Sequence, residues 1–277
     1  FIQYILEKGK GLLYTSIEIK GINAKAYQCF VLINELNINE VKIVKLEMDK
    51  VHKLENQFRI TFKINSPRAE QDRTLDILGN MIETIVGKMT KSKYAVVPNG
   101  FFNYLPIHMG RIGSRYLYEQ RKINYIPNLS IKENDSYNAG MNLGVFYTTA
   151  EKTSIKEAEI LNKKYNAALY ADPLLETFKE MKRYNHIHIV AHHHDLTFFF
   201  KDSQIKTKSL IDLFTPDIHF ASLNICNSFH VDDMKSKYSI ISKSIAQQLI
   251  SRGVGQVITH NWELGQNAAI IFFKNYG

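Results

Sequence analysis

The chain has 277 residues, of which 45% are hydrophobic and 12% aromatic, a composition typical of a globular protein with a full core. The formal net charge is +8, but basic residues alternate with acids, as in Lys179-Glu180-Met181-Lys182-Arg183, which favours a solvated surface over a nucleic-acid patch. No apolar run approaches the ~20 residues of a membrane span. The two cysteines, Cys29 and Cys226, exclude a disulfide scaffold and predict free thiols in a cytoplasmic protein.

The first 92 residues are predicted to form an N-terminal β-rich subdomain with one helix. Apolar and polar residues alternate there in short runs, which is the pattern of strands and hairpins. These runs are Leu12–Ile19, Tyr27–Ile33, Val41–Leu46 and Phe58–Ile64. The helix is predicted over Arg73–Met89, where apolar residues recur on one helical face. Cys29 lies in one of the strand runs and is expected in the core.

From residue 93 to residue 277, strands alternate with helices, which predicts βαβ units and a mostly parallel sheet flanked by helices. The predicted strands are Tyr94–Val97, Ile123–Ile126, Leu143–Tyr147, Ile187–Ala191, Ile218–Ile225 and Gly255–His260. The predicted helices are Arg115–Tyr118, Ile155–Tyr165, Pro173–Arg183, Tyr238–Arg252 and Asn267–Phe273. Residues 93–277 are therefore expected to form a second domain of the α/β class.

Two consecutive apolar strands of this domain each end on a chemically reactive side chain. One strand, Ile187–Ala191, precedes His192, and the next, Ile218–Ile225, precedes Cys226. If the two strands are parallel neighbours, His192 and Cys226 lie together at the carboxyl edge of the sheet, where open α/β sheets place their sites. A thiol beside an imidazole is a nucleophile–base pair. Either residue alone is more often structural, and the joint placement is what favours catalysis.

The three consecutive histidines, His192 to His194, offer a metal site as a competing interpretation. A metallo-hydrolase motif of the form His-x-His-x-Asp-His also follows an apolar strand, and its first two positions fit. However, Leu196 and Thr197 stand where the motif requires Asp and His. We therefore predict no metal or other cofactor, and a metal-dependent hydrolase is the least favoured alternative.

The stretch around His192 and Cys226 resembles the CHAT peptidases, caspase-like cysteine proteases that are often found behind tetratricopeptide repeats. The family pattern joins a strand that ends in a small residue and His to a second strand that ends in Cys and a small or polar pair. Matching segments are Ile187–His192 and Ala221–Ser228. Further family landmarks follow in order at Val97–Gly100, Leu105-Pro106, Ile123–Leu129, Ile245–Leu249, Gly253–Ile258 and Trp262.

The resemblance implies a caspase-like fold and peptide-bond hydrolysis by a Cys-His dyad. Cys226 would attack the scissile carbonyl, and His192 would pass the proton to the leaving amine. The backbone N–H groups of Cys226 and His193 would hold the oxyanion. Among the neighbouring histidines the family pattern selects His192 as the base, whereas His188 and His219 are expected to be packing residues.

The sequence departs from the family pattern at two positions. His193 replaces the usual glycine, where a larger side chain could crowd the site. This departure favours the runner-up interpretation, a catalytically inactive protein-interaction module on the same fold. Gln266 stands where the family often carries Asp, so Trp262, Glu263 and Gln266 are candidate substrate-pocket residues without a defined preference.

The resemblance also implies a regulated endopeptidase that cleaves a dedicated protein partner, as in bacterial defence systems. A regulatory N-terminal region or an activator protein would hold such an enzyme inactive. Because the sequence lacks an initiator Met and a signal peptide and stops abruptly, we expect it to be a fragment with this region upstream of Phe1. No direct binding to nucleic acid or membrane is expected.

Overall fold

The chain folds into two compact α/β units, described here from a computed structural model. The structure describes residues 2–20, 25–35, 41–62, 66–98, 102, 105–126, 140–194, 196–225 and 245–259. Described residues up to 126 belong to the first unit, and those from 140 onward belong to the second. None of the helices in these ranges has the length and apolar character needed to cross a membrane.

The first unit is a five-stranded sheet with helices packed on it. The strands are β1 (Gly11–Lys20), β2 (Lys25–Ile33), β3 (Lys42–Glu47), β4 (Lys93–Val97) and β7 (Lys122–Tyr125), in the order β3-β2-β1-β4-β7. The pairs among β1, β2 and β3 are antiparallel, whereas β4 runs parallel to both β1 and β7. A separate hairpin joins β5 (Arg111–Ile112) and β6 (Arg115–Tyr116).

Four described helices belong to this unit, and a short 3-10 helix covers Ile107–Met109. The helices are α1 (Ile2–Glu7), α2 (Met48–Thr61), α3 (Arg68–Val86) and α4 (Leu117–Gln120). Three of them precede residue 92, where the sequence predicted one. Cys29 is buried in β2, so its predicted place in the core is confirmed.

The predicted strand Phe58–Ile64 is wrong over its described residues, because the chain up to Thr61 belongs to α2. The buried side chains of α2 recur at helical spacing: Met48, Val51, Leu54, Glu55, Phe58 and Thr61. Ile60, whose apolar character suggested alternation, is 70% exposed on the opposite face. A window of a few residues could not distinguish the alternation of a strand from the repeat of a helix, whereas the longer window from Met48 does.

The first unit also extends beyond residue 92, the boundary expected from the sequence. Its strand β4 pairs with β1 on one side and β7 on the other. Every residue from Tyr94 to Val97 is at most 1% exposed. Such a continuous apolar run is typical of a central strand that is covered on both faces. The change in sequence pattern at residue 93 therefore marks the centre of a sheet and not the start of a domain.

The second unit is built on a parallel sheet, as the alternation of strands and helices predicted. The strands are β8 (Leu143–Tyr147), β9 (Ala168–Ala171), β10 (His186–Val190), β14 (Phe220–Asn224) and β15 (Gln256–Ile258), in the order β15-β14-β10-β8-β9. Every neighbouring pair in it is parallel. A smaller antiparallel sheet contains β11 (His192–His194), β12 (Thr197–Phe199) and β13 (Gln204–Lys206).

Helices cover the parallel sheet on two faces. The helix α5 (Lys152–Tyr165) packs on one face through Ala158 and Leu161. The other face carries the larger apolar core, to which α6 (Thr207–Ile211), α7 (Ile245–Ser251) and a 3-10 helix at Thr177–Arg183 contribute. Alternation along β10 directs Ile187 and Ile189 into this core and His188 toward α5.

The strand order creates a topological switch point between β8 and β10. Numbered in chain order within the unit, the five strands of the parallel sheet follow the order 5-4-3-1-2. From β8 the chain continues to β9 on one side, whereas from β10 it continues to β14 on the other. Open α/β sheets with this order bind ligands in the crevice outside the carboxyl ends of the strands at such a point. The segments that follow Tyr147 and Val190 begin at this crevice.

Close packing of α3 on the β5 backbone generates a stability prediction. A Cβ at Gly79 would lie 1.8 Å from the carbonyl oxygen of Arg111, so Gly79→Ala forces the two backbones apart. We predict that G79A lowers the free energy of unfolding by about 1–3 kcal/mol. The matched control is Gly87→Ala at the end of the same helix, where a Cβ would meet nothing closer than 3.5 Å.

Urea denaturation monitored by circular dichroism measures the free energy of unfolding of both variants and of the native chain. Because Gly87 has right-handed helical dihedrals, G87A should stabilise the fold by about 0.4–1 kcal/mol. Equal stability of G79A and G87A would contradict the close approach of α3 to β5.

Candidate active site

His192 lies at the carboxyl edge of the parallel sheet, at the switch point. It begins β11, two positions after Val190 ends β10. Its Nε2 is 2.9 Å from Oε1 of Glu151, the residue that immediately precedes α5. The side chains of His192 and Glu151 are 52% and 27% exposed. The crevice therefore holds an imidazole–carboxylate pair that is open to solvent.

The position of Glu151 gives this pair a favourable electrostatic setting. Glu151 is the N-cap residue of α5, yet its side chain makes no capping hydrogen bond to the helix. The amino end of a helix carries a partial positive charge, so a carboxylate there is stabilised. The same carboxylate faces His192 and can stabilise positive charge on the imidazole.

The three consecutive histidines have different partners. His192 pairs with Glu151, whereas Nε2 of His193 lies 2.8 Å from the hydroxyl oxygen of Thr207. The ring of His193 also meets Phe198 edge-on, with 4.9 Å between ring centroids. Successive side chains of a strand point to opposite faces, which separates His193 from its two neighbours. The histidine run is thus not a single cluster.

His194 has an aromatic environment. Its ring stacks on Phe199 with 4.3 Å between centroids and 13° between planes. Phe199 belongs to β12 and is paired with His192, while His194 is paired with Thr197. The contact with Glu151 at the crevice therefore distinguishes His192 from His194, which stacks on an aromatic ring.

The nucleophile predicted from the sequence, Cys226, lies outside the described residues, as do Trp262, Glu263 and Gln266. The strands that lead to His192 and Cys226 are both described, and they are parallel neighbours with Val190 opposite Asn224. The backbone N–H of Ala191 donates to the carbonyl oxygen of Asn224 at 3.4 Å. The two strands therefore stay side by side up to the residue before His192.

A buried carboxylate connects these two strands to α5. Oε1 of Glu157 is 2.7 Å from Nε2 of His188, and Oε2 accepts a hydrogen bond of 2.6 Å from the amide of Asn224. The side chains of Glu157 and His188 are 3% and 2% exposed. Both carboxylate oxygens thus have the hydrogen-bond partners that a buried acid requires. His188, expected to be a packing residue, is buried but also carries this polar contact.

Asp172 holds the segment that leads to Glu151. Its carboxylate accepts hydrogen bonds from the backbone N–H of Thr149 at 2.9 Å and of Lys201 at 3.1 Å. The hydroxyl groups of Thr148 and Thr149 also donate to it. Burial raises the pKa of the Asp172 carboxyl, but these hydrogen bonds outweigh it and leave the pKa below the usual range. An ionised Asp172 therefore fixes the loop after β8 at the edge of the sheet.

Two carboxylates of the site, Glu151 and Glu157, were missed by sequence reasoning. The available signal for Glu151 was its place between a predicted strand and a predicted helix, which puts it at the same edge as His192. The signal for Glu157 was an acid on the apolar face of an amphipathic helix, beside Ala158 and Leu161. A buried acid of this kind needs a polar partner on the sheet below it.

Within the described ranges, no group of three or more His, Cys, Asp or Glu side chains is placed to hold a metal ion. Asp195, which the sequence places beside the histidine run, lies outside those ranges. Comparison of the chain with models of known protein families and with curated proteins found no match. The resemblance to CHAT peptidases therefore stays a prediction.

The buried network around Glu157 generates a prediction about stability. Glu157→Ala removes the carboxylate partner of buried His188 and of partly buried Asn224. Since the loss of a hydrogen-bond partner from a buried polar group costs about 1–3 kcal/mol, we expect the free energy of unfolding to fall by about 1–3 kcal/mol.

Glu159→Ala is the matched control, because Glu159 is exposed on the same helix and the substitution removes the same charge. It should change stability by no more than about 0.5 kcal/mol. Chemical denaturation of the two variants checks the expectation, and a small effect of E157A would contradict a structural role for the network.

Proposed function

We propose that this chain is a regulated cysteine endopeptidase of the CHAT, caspase-like type, with His192 and Cys226 as its dyad. The observation that carries the proposal is the pairing of β10 with β14. Val190 is opposite Asn224 in this parallel pair, and His192 and Cys226 each follow two positions later. Residues at equal distances beyond two paired parallel strands emerge at the same sheet edge, and neighbouring strands are only about 4.8 Å apart.

The surroundings of His192 support its role as the base. A general base must reach the substrate side of the site, and the ring is half exposed at the switch point of the sheet. Its partner Glu151 can stabilise the imidazolium that forms when the ring accepts a proton. Of the three consecutive histidines, His192 is also the one that the sequence pattern selected.

The proposed reaction proceeds through a covalent acyl-enzyme. His192 takes the thiol proton, the Cys226 sulfur attacks the scissile carbonyl, and the backbone N–H groups of His193 and Cys226 hold the oxyanion. The tetrahedral intermediate collapses as His192 passes its proton to the leaving amine, which breaks the peptide bond. Water, deprotonated by His192, then hydrolyses the thioester and restores the thiol. No cofactor takes part.

The anchored ring of His193 supports the enzyme over the inactive interaction module. The concern raised by the sequence was that this side chain crowds the dyad. Its imidazole instead contacts Thr207 at the start of α6 and Phe198 on the smaller antiparallel sheet. The backbone N–H of His193 can then serve the oxyanion without the ring entering the crevice.

Substrate recognition and regulation follow the family in this proposal. Trp262, Glu263 and Gln266 form the substrate pocket, and the substrate is a dedicated protein partner in the cytoplasm. A regulatory region or an activator protein keeps the enzyme inactive until a signal arrives. The proposal includes no direct contact with nucleic acid or membrane.

The dyad predicts an activated thiol at position 226. We expect iodoacetamide to alkylate Cys226 in the native chain. His192→Ala should slow this reaction by about 100-fold, because the thiol loses the base that deprotonates it. Mass spectrometry of intact protein and of its peptides locates and times the modification. His194→Ala is the matched control and should react like the native chain.

Cys226→Ala should abolish modification at this position and cleavage of a peptide library by the activated protein. Buried Cys29 provides an internal reference for nonspecific alkylation. Library cleavage retained by the C226A variant, or alkylation of Cys226 that is insensitive to H192A, would refute the proposed function.

A further inference from the structure

We propose that Glu151 is a positioning residue that holds His192 with a hydrogen on Nε2 and leaves Nδ1 as the proton acceptor. The inference rests on the proposed function, because the accepting nitrogen matters for catalysis only if His192 is the base. It adds a third member, from the amino end of α5, to the His192–Cys226 dyad.

The chemistry of the contact fixes the tautomer. An ionised carboxylate can only accept hydrogen bonds, so the 2.9 Å contact from Oε1 of Glu151 requires Nε2 of His192 to be the donor. A neutral imidazole carries one N–H and one lone pair, and the lone pair must then lie on Nδ1. The nitrogen that takes the thiol proton is therefore Nδ1.

Glu151 is itself held in place, as a positioning group must be. The loop between β8 and α5 is fixed by Asp172, which accepts hydrogen bonds from Thr148 and Thr149. On the other side, the hydroxyl of Thr153 lies 3.5 Å from Oε2 of Glu151. Because the loop before Glu151 is fixed and the other oxygen of its carboxylate contacts Thr153, the ring meets a carboxylate that is held from both sides along the chain.

The charge of Glu151 has a second consequence. When the thiol proton moves to Nδ1, the ring becomes an imidazolium with a hydrogen on both nitrogens. A cation near the amino end of α5 is disfavoured by the helix dipole. The Glu151 carboxylate beside the ring offsets this repulsion, so proton transfer produces a charge that already has its counter-ion.

A spectroscopic experiment tests the pairing without any substrate. The full chain is labelled with 15N-histidine, and His192→Gln identifies the resonances of His192. We expect a low-field Nε2–H proton in the native chain, recorded at low temperature because the ring is half exposed. Glu151→Ala should abolish this signal by exchange with water, whereas the matched variant Glu159→Ala should retain it.

Glu151→Gln keeps the side-chain shape, so it serves should E151A fail to fold by circular dichroism. A neutral amide oxygen accepts a weaker hydrogen bond, and the Nε2–H resonance should move upfield in E151Q. A signal that is unchanged in E151A and E151Q, or a hydrogen on Nδ1 in the neutral ring, would overturn the inference.

Alkylation of Cys226 by iodoacetamide tests whether the pairing acts on the base. We expect E151A to slow the reaction by about fivefold, the effect of losing a partly exposed ion pair. E151Q should fall between E151A and the native chain, because it keeps an acceptor but loses the charge. E159A should react at the native rate.

The outcomes separate this inference from the proposed function. If H192A slows alkylation but E151A and E151Q do not, the positioning role is wrong and the dyad stands. If H192A also has no effect, the dyad itself is wrong and Glu151 positions no base, even where the Nε2–H resonance reports an intact pair.

Discussion

The buried carboxylate of Glu157 is the constraint on which the second unit depends. It joins three elements at once, because its two oxygens reach His188 on β10 and Asn224 on β14 from its own helix α5. Burying an acid is costly unless its hydrogen bonds are made, so the three elements must adopt one relative placement. This placement also sets the register of the strands that lead to His192 and Cys226.

The helix that carries Glu157 also carries the second polar contact of the site. Glu151 lies about one and two-thirds turns away, at the amino end of α5, where it meets His192 at the sheet edge. The contacts of Glu157 with the sheet fix how α5 lies on it. The contact of Glu151 with His192 places a charge at the crevice. A single rigid element therefore couples the core to the surface site, which is how precise sites are supported in proteins.

Much of the fold could be predicted because its strands are apolar and its helices are periodic. The runs before His192 and Cys226 were confirmed as neighbouring parallel strands. The strand β9 and the hairpins β11–β13 were missed, because strands of three or four residues carry too little pattern. The contact between Glu151 and His192 could not be predicted either, since it joins residues that are distant in sequence and depends on the strand order around the switch point.

The histidine run illustrates why residue type alone did not define the site. Three identical side chains in succession suggested a metal cluster, yet a strand directs neighbours to opposite faces and gives each its own environment. His192 meets a carboxylate, His193 a hydroxyl and His194 an aromatic ring. The chemical role open to each histidine thus depends on the group that its ring contacts. A carboxylate is the partner that orients an imidazole as a base. The pairing of β10 with β8 brings the segments that carry His192 and Glu151 to the same sheet edge. That pairing is therefore a stronger argument for the proposed role of His192 than the motif around it.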